Sequence, residues 1–407
     1  MKINIEYFKR RISNNMAFYD KIEIVKELCE KCQFDLDVIQ LLKQDIVKHA
    51  KIPVKLRETE ISFVINSIHN VIPTIDENVQ KKLKYIRDLP QPEQRTEEWF
   101  AYRKNVVTAS SASNIFTSDA DRMKYLKEKS LPEKTFSGGG IACQFGIKFE
   151  EVAQKIFEKM TGTVVSEYGC IRHSTINCLG ASPDGIVTSS VDPLMIGRML
   201  EIKCLYSREL TGIPLYKYWC QCQLQMESCN LDFCDFFECK FNEKMSEEEF
   251  FGKLYKNEFE TEYYGIIFEV FNRDLQKNEY IYSNITENGV YYREFLNKNI
   301  DKLIDDDNKD IINITFFELT NYSKLTIKRN REWFEDKKQS ILNFWEEVKK
   351  TREILENEPE KIEDIFPAKK RRRSIDSEST ISSSPQPEPP VELFANLVPE
   401  DPFANHY

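Results

Sequence analysis

Two short segments, Gly180-Ala-Ser-Pro-Asp-Gly185 and Leu200-Glu-Ile-Lys-Cys204, decide the fold of this chain. The second segment alternates apolar and charged residues, which is typical of a β-strand whose side chains point to opposite faces in turn. Its apolar residues belong in a core, whereas Glu201 and Lys203 share the other face and must be solvated, paired or used in chemistry. Asp184, at the start of a neighbouring strand, can meet them at one point.

These three residue types suit metal-assisted hydrolysis of a phosphodiester, in which a hard cation neutralises developing charge and makes hydroxide from water. Two carboxylates and a backbone carbonyl suit Mg²⁺, which prefers oxygen ligands and keeps several waters. A lysine beside the metal can orient or deprotonate the attacking water, or offset charge on the scissile phosphate. The alternative interpretation of the same residues is a surface Glu/Lys strand next to an Asp-Gly turn.

The surrounding elements predict an α/β core with a mixed sheet. An amphipathic helix is predicted from Ala142 to Met160, with Glu150 at the border of its buried stripe and Glu151 directed to solvent. Strands are predicted at Val164–Arg172, Gly185–Val187, Arg198–Cys204, Phe233–Phe241, Gly265–Phe271 and Tyr280–Tyr282, and further helices at Leu215–Cys229, Tyr291–Ile304 and Glu332–Leu355.

Composition excludes several classes of protein. The 407 residues include 57 basic and 67 acidic side chains, a net charge of −10, which disfavours a nucleic-acid binder that works by bulk charge. That balance still leaves room for a local basic groove and an acidic metal pocket. The apolar runs are too short to span a membrane, and the N-terminus is charged where a signal peptide would be apolar. We therefore expect a soluble intracellular protein that makes no membrane contact.

The eleven cysteines are expected to be reduced thiols. Cys29-Glu-Lys-Cys32 has no second pair at zinc spacing, so a zinc site is a minor alternative. The cysteines from Cys220 to Cys239 could ligate an iron–sulfur centre, but they alternate along a predicted helix and strand, where cysteine commonly packs as a small hydrophobe.

The hydrophobic pattern and the local composition divide the chain into three regions. Residues 1–90 read as a helical N-terminal domain, residues 91–355 as the α/β domain, and residues 356–407 as a disordered Pro-, Ser- and Glu-rich tail. The tail carries the basic cluster Lys369-Lys-Arg-Arg-Arg373, which is typical of a nuclear localisation signal or of a nonspecific DNA tether. Phe-Ala-Asn occurs twice near its end, as a partner-binding motif or as part of an inert tail.

Four blocks of the chain, in order, resemble the PD-(D/E)XK nuclease superfamily, specifically the phage lambda exonuclease and YqaJ-type viral recombinase nucleases. The resemblance covers about residues 94–240, and it implies a restriction-endonuclease-like core, a central mixed sheet flanked by helices. The blocks are Glu98-Trp99 with Arg103 and Thr108-Ala-Ser110, Gly146-Ile-Lys-Phe-Glu150, Ser182-Pro-Asp-Gly185 with Glu201-Ile-Lys-Cys204, and Tyr218-Trp-Cys-Gln-Cys-Gln223.

The resemblance implies a role for each carboxylate of these blocks. Asp184, Glu201 and the carbonyl of Ile202 would hold the catalytic Mg²⁺, for which Mn²⁺ would substitute. Glu150 would hold or orient a second metal ion or its waters.

It also implies roles for groups around the metal. Lys203 would act on the nucleophilic water, and Gln221 would support the site from the adjoining helix. Helical spacing places Gln221 on one polar stripe with Lys217 and Gln225, and that stripe could face DNA.

Arg103, Thr108 and Ser110 match residues that the family places around the 5′-terminal phosphate. A guanidinium, two hydroxyls and a helix N-terminus near Ser110 would make an anion site. In the alternative interpretation, Ser110 caps a helix and Arg103 is a surface residue.

The hypothesis from sequence is a Mg²⁺-dependent exonuclease that resects double-stranded DNA ends 5′ to 3′ in viral recombination, repair or replication. One alternative is an endonuclease on the same core, and another is a catalytically silent DNA-end-binding adaptor. The expected partners are DNA ends, a single-strand annealing protein and, through the tail, a protein partner or nuclear import receptor. The expected location is the nucleus or cytoplasm of the host.

Overall fold

The computed structural model describes residues 76–92, 94–132, 140–190 and 192–367. The helices of this part are α1 (Glu77–Asp88), α2 (Glu97–Lys104), α3 (Ala109–Ala112), α4 (Asn114–Thr117), α5 (Asp119–Ser130), α6 (Ile141–Thr161), α7 (Tyr216–Cys229), α8 (Glu247–Lys256), α9 (Gly289–Ile304), α10 (Arg331–Asn357) and α11 (Ile362–Ile365). The strands are β1 (Val107–Thr108), β2 (Thr163–Ser166), β3 (Ile171–Arg172), β4 (Leu179–Ala181), β5 (Gly185–Ser190), β6 (Met199–Cys204), β7 (Phe233–Met245), β8 (Tyr264–Asn272), β9 (Lys277–Tyr282) and β10 (Lys309–Lys328).

The main sheet has seven strands in the order β2-β5-β6-β7-β10-β8-β9. Only β6 and β7 pair in parallel within it, and α7 connects them, as a parallel pair requires a crossover. A smaller sheet, β1-β4-β3, lies beside it. The predicted fold class, an α/β core with a mixed sheet flanked by helices, is confirmed.

Helix α6 covers one face of the sheet. Its apolar stripe, which includes Phe149 and Ile156, is fully buried against Leu200 and Ile202 of β6. Each such side chain contributes about 1.5–3 kcal/mol through burial. The helix ends at Gly162, whose φ of +64° is the left-handed conformation that glycine adopts without strain. This packing fixes the position of Glu150, the residue after Phe149.

The opposite face is covered by α7 and α10. Trp219 of α7 packs edge-to-face on Trp333 of α10, with ring centroids 5.1 Å apart. Phe344 of α10 stacks on Tyr125 of α5 at 5.1 Å. The cysteines of α7 and β7 are buried in this core and in the one under α6, so they pack as small hydrophobes, as the sequence indicated. The nine cysteines in the described residues are all free, and Cys29 and Cys32 lie outside those residues.

A third hydrophobic cluster lies at the β8 and β10 part of the main sheet, away from α6 and α7. Helices α8 and α9 pack their aromatic residues, among them Phe250 and Tyr292, on β8 and β10. The 20-residue strand β10 joins this part of the sheet to its centre, because it pairs with β7 along one part and with β8 along another. Neither β10 nor α8 was predicted from the sequence.

Residues on the outer side of each predicted domain boundary pack against the α/β domain. Helix α1, within the region read as the N-terminal domain, buries Ile86 in the main core and pairs Lys82 with Asp232 at 3.2 Å. At the other end α10 extends to Asn357, and Phe366 is buried. The remainder of the predicted N-terminal domain, the basic cluster and both Phe-Ala-Asn motifs lie outside the described residues. Within those residues, no helix is both long and apolar enough to cross a bilayer.

Candidate active site

Asp184 lies where two neighbouring strands separate. Strands β5 and β6 pair only through Gly185 with Leu200 and Ile186 with Met199, so β6 continues beyond its partner. The Asp184 carboxylate fills this gap, and its Oδ2 accepts a hydrogen bond of 2.6 Å from the backbone N–H of Ile202. The N–H and C=O of one strand residue point to the same side, so the Ile202 carbonyl also faces the gap.

The close approach of a neighbouring strand requires glycine at position 185, directly after Asp184. A Cβ built at this position would lie 2.1 Å from Cγ1 of Val165 on β2, far inside van der Waals contact. Strand β2 therefore approaches β5 more closely than any other residue at position 185 would permit. This close pairing holds the start of β5, and with it Asp184, in place.

Glu201 and Lys203 share one face of β6, as the alternation predicted. The Glu201 side chain is fully buried, and the Lys203 ammonium contacts its Oε1. Gln221 Nε2 donates to the same oxygen at 2.7 Å, and Gln225 Nε2 donates to Oε2 at 2.6 Å. Both carboxylate oxygens of Glu201 are thus held by named donors.

The interpretation of Gln221 and Gln225 as a polar stripe that faces DNA was wrong. Helix α7 crosses from β6 to the adjacent parallel strand β7, so this stripe lies over the charged face of β6. Both glutamines are buried there against Glu201. Lys217, one turn earlier, lines an open cleft instead.

Glu150 approaches the same place from α6. Its two carboxylate oxygens accept hydrogen bonds from Nη2 of Arg95, at 2.9 and 3.0 Å. Burial raises the pKa of Glu150, although the positive charges of Arg95 and Lys203 oppose the shift.

The pKa values of Asp184 and Lys203 are shifted more strongly than that of Glu150. Burial, followed by the charges of Glu201 and Glu150, raises the pKa of Asp184 well above its usual range. Burial lowers the pKa of Lys203, but the carboxylates of Glu201 and Asp184 outweigh this effect and raise it above the usual value. Lys203 is therefore an ammonium ion, and the three carboxylates form one mutually repelling cluster.

Two clefts meet at these carboxylates, because both are lined by Glu150 and Asp184. The first, of about 580 Å³, has basic, acidic, amide and aromatic side chains in its walls. It is lined further by Arg87, Gln91, Arg95, Glu151, Glu167, Tyr168, Tyr280 and Tyr282. The second, of about 420 Å³, is lined by Lys203, Tyr206, Arg208, Lys217 and Tyr218. Three of these cations lie within 4.8–5.7 Å of the Tyr218 ring centre. Both clefts thus offer positive charge and aromatic surface next to the carboxylates.

The predicted phosphate residues are only partly brought together. Arg103 Nη2 donates to the exposed Ser110 Oγ at 3.2 Å, and its guanidinium lies 4.2 Å from the Trp99 ring centre. Thr108 is buried, however, and its hydroxyl lies 3.3 Å from the Tyr125 hydroxyl inside the core. A four-residue helix begins at Ala109 without a side-chain cap, so Ser110 is not the capping residue.

A chain of contacts joins this Arg103 site to Glu201. Trp99, which stacks on Arg103, donates from Nε1 to Ser182 Oγ at 3.2 Å. Gln225 Nε2, which holds Glu201, also lies 3.4 Å from the Ser182 carbonyl oxygen. The segment before Asp184 therefore spans the two sites.

Two contacts with the carboxylates were not predicted from the sequence: that of Gln225, which was placed on a stripe facing DNA, and that of Arg95. Gln225 had a usable signal, since it lies one helical turn after Gln221 and must share its surroundings. No sequence signal pointed to Arg95, because Arg95 and Glu150, which it contacts, are 55 residues apart in the chain.

The donor types fit a hard divalent cation. Asp184, Glu201, Glu150 and the Ile202 carbonyl offer oxygen atoms, which Mg²⁺ and Mn²⁺ accept. Nevertheless, no three His, Cys, Asp or Glu side chains of the described residues are gathered closely enough to hold a metal ion as they stand. In this arrangement Lys203 pairs with Glu201, and Arg95 pairs with Glu150.

The mixed α/β sheet brings Asp184 together with Glu201 and Lys203, which is the arrangement that the resemblance to PD-(D/E)XK nucleases implied. The family model described as the YqaJ-like viral recombinase domain matches residues 98–232. The chain is therefore similar to YqaJ-like viral recombinase domains over this span, about a third of its length, and the resemblance seen in the sequence is confirmed there.

Several individual proteins are similar to this chain. An uncharacterized protein of Acanthamoeba polyphaga mimivirus is 27% identical over 312 residues, which are 66% of this chain and 54% of that protein. The chain thus spans about half the length of this curated relative. A crystal structure of LHK-Exo in complex with dAMP is 22% identical, with a TM-score of 0.39, and covers 65% of this chain and 99% of its own. A phage related exonuclease from Haemophilus somnus 129PT is 14% identical, with a TM-score of 0.34, and covers 62% and 96%.

Proposed function

We propose that this protein is a Mg²⁺-dependent exonuclease, with Mn²⁺ able to substitute, that resects double-stranded DNA from its 5′ ends in viral recombination, repair or replication. The observation that carries the proposal is the convergence of Asp184, Glu201, Glu150 and Lys203 where two clefts meet, each of them lined in part by basic and aromatic side chains. A strand that follows both clefts would cross the carboxylates.

Asp184, Glu201, the Ile202 carbonyl and Glu150 are the groups that would hold divalent metal. When bound, such a cation supplies positive charge that polarises the phosphodiester and activates water. Lys203 contributes a fixed ammonium that orients the attacking water and offsets charge developing on the phosphate. Gln221 and Gln225 keep Glu201 oriented by occupying one lone pair on each of its oxygens.

The DNA contacts follow from charge and aromatic surface. Lys217, Arg208 and Tyr218 in the second cleft offer phosphate contacts and a stacking face, the combination that nucleic-acid channels use. Arg103 with Ser110 would bind the 5′-terminal phosphate, with Thr108 supporting from beneath through Tyr125. A terminal phosphate held at a fixed distance from the carboxylates would select the bond next to the end.

The test compares 5′-phosphorylated linear duplex DNA with closed circular DNA, in Mg²⁺ and in EDTA. We expect loss of the linear DNA only, dependent on the metal and reduced at least 100-fold by Lys203→Ala. Lys155→Ala is the matched control, because Lys155 lies on α6 but pairs with the exposed Glu151 at 2.7 Å. Nicked circles would instead favour the endonuclease, and binding of ends without cleavage would favour the silent adaptor.

The basic cluster Lys369–Arg373, outside the described residues, would direct the protein to the host nucleus. Duplex ends are the proposed substrate, and a single-strand annealing protein is the proposed partner, because resection leaves a single strand for annealing.

A further inference from the structure

Arg95 has an unusual backbone conformation. Its φ is +68°, in the left-handed region that residues other than glycine adopt rarely and at a cost of about 1–2 kcal/mol. Strain of this kind persists only where the surroundings fix it. The conformation therefore has to be explained by its neighbours.

Both neighbours of Arg95 are anchored. Gln94 Nε2 donates to the Tyr168 carbonyl at 2.7 Å and to the Pro183 carbonyl at 3.2 Å, directly before Asp184. On the other side Thr96 caps α2, since its Oγ1 accepts from the Trp99 N–H at 3.2 Å. Arg95 lies between these two anchors and is thereby directed into the first cleft.

The contact that Arg95 makes there is incomplete. A single nitrogen, Nη2, serves both oxygens of Glu150, and the described residues provide no hydrogen bond to Nε or Nη1. About half of the side chain is exposed, at 49%. An arginine built only to pair with a carboxylate would present two nitrogens, as in the usual fork. The remaining donors point to a second anionic partner.

We propose that Arg95 is a positioning residue that exchanges partners. In the metal-free protein it neutralises Glu150; when a divalent cation takes this carboxylate, Arg95 is released into the first cleft and binds a phosphate of the DNA backbone. This inference rests on the proposed function, because it uses the same metal site.

The cleft supports the exchange. Arg87 lines the same cleft, together with the acidic Glu151 and Glu167. Two of the carboxylates that would hold the metal, Glu150 and Glu201, are paired with Arg95 and Lys203. Tyr280 and Tyr282 on the facing strand β9 provide aromatic surface within reach of the arginine. A phosphate in this cleft would meet a guanidinium with free donors, next to the carboxylates that hold the metal.

The first measurement is Mn²⁺ binding to the DNA-free protein by electron paramagnetic resonance. Exposed ion pairs of this type contribute little, so Arg95→Gly should tighten Mn²⁺ binding by about two- to five-fold. Arg95→Lys, which keeps the charge, should stay close to the wild type. Lys155→Gln removes one positive charge from an exposed pair on α6, and it controls for the change in net charge.

The second measurement is binding of a 5′-phosphorylated duplex in the non-cleaving Lys203→Ala background. Arg95→Gly should weaken binding when metal is present, and reduce the salt dependence by about one phosphate contact, but have no effect in EDTA.

Three outcomes overturn the exchange. Weaker Mn²⁺ binding in Arg95→Gly would mean that Arg95 holds Glu150 in place for the metal. An equal loss of DNA binding with and without metal would mean that Arg95 is never engaged by Glu150. Absence of Mn²⁺ binding in the wild type would refute the metal site of the proposed function and this inference together, whereas the first two outcomes leave the proposed function intact.

Discussion

Replacement of Lys129 by methionine should make the stability of the protein depend less on pH. Lys129 lies in the last turn of α5, only 4% exposed, and its Nζ donates to the Arg103 carbonyl at 2.7 Å. Burial lowers its pKa from 10.5 to about 7, with Glu128 opposing the shift and Arg103 and Lys104 adding to it. A buried cation behind the Arg103 site is thus close to neutral at the pH of most assays.

The sign and size of the effect follow from proton linkage. Between pH 7 and 10.5 the unfolded chain binds a proton at this lysine that the folded protein does not bind. The free energy of unfolding therefore rises by about 1.4 kcal/mol for each pH unit in this window, and the contribution is lost as the pH falls towards 7. From pH 7.5 to 9.5 this amounts to about 2 kcal/mol, because Lys129 is partly protonated at the lower limit.

The assay is urea unfolding of wild type and Lys129→Met at intervals across this range. Other titrating groups are common to both proteins, so the difference between their unfolding free energies isolates Lys129. That difference should shift by about 2 kcal/mol in favour of the wild type as the pH rises. Lys124→Met, from an exposed position on the same helix, is the control. A difference that stays constant to within about 0.5 kcal/mol would refute the burial argument.

Two further predictions concern the site. Gly185→Ala should lower both activity and stability, by about 1–3 kcal/mol, because its Cβ would lie 2.1 Å from Val165 Cγ1. Thermal unfolding and nuclease rates should recover in the Gly185→Ala/Val165→Ala double variant, and failure to recover would indicate another cause. Arg103→Gln should reduce the preference for 5′-phosphate over 5′-hydroxyl ends by about ten-fold or more, since a charged hydrogen bond contributes about 1.5–3 kcal/mol. Digestion rates on the two substrates measure this ratio, and an unchanged ratio would exclude Arg103 from end recognition.

The central elements could be predicted because their patterns are local. The alternation in β6 placed Glu201 and Lys203 on one face, and the apolar stripe of α6 placed Glu150 at its edge. Gly162 marked the end of α6 through its left-handed conformation. Each of these signals depends on residues within a few positions of each other. The resemblance added the order in which the blocks assemble.

The features that were not predicted correctly depend on contacts with residues that are distant in the sequence. Strand β10 has no clean alternation, because it changes partner along its length and contains register shifts, so successive residues meet different neighbours. Gln225 was assigned to a DNA-facing stripe, since the sequence does not reveal which side of α7 the sheet covers. Thr108 matched a family position by type, but the core around Tyr125 takes its hydroxyl.

The separation of β5 from β6 also explains why the site can hold so much unfavourable charge. Beyond Leu200 no strand formed by the described residues occupies the β5 side of β6, and Asp184 and the Ile202 backbone face each other across the gap. The pKa of Asp184 is raised well above normal, so the folded state disfavours its charge, and stability falls as the pH rises past the usual range of an aspartate. The apolar packing under α6 and α7 has to offset this cost. A cation that neutralises the cluster would remove the penalty, so the arrangement that destabilises the metal-free protein is also the arrangement that favours metal binding.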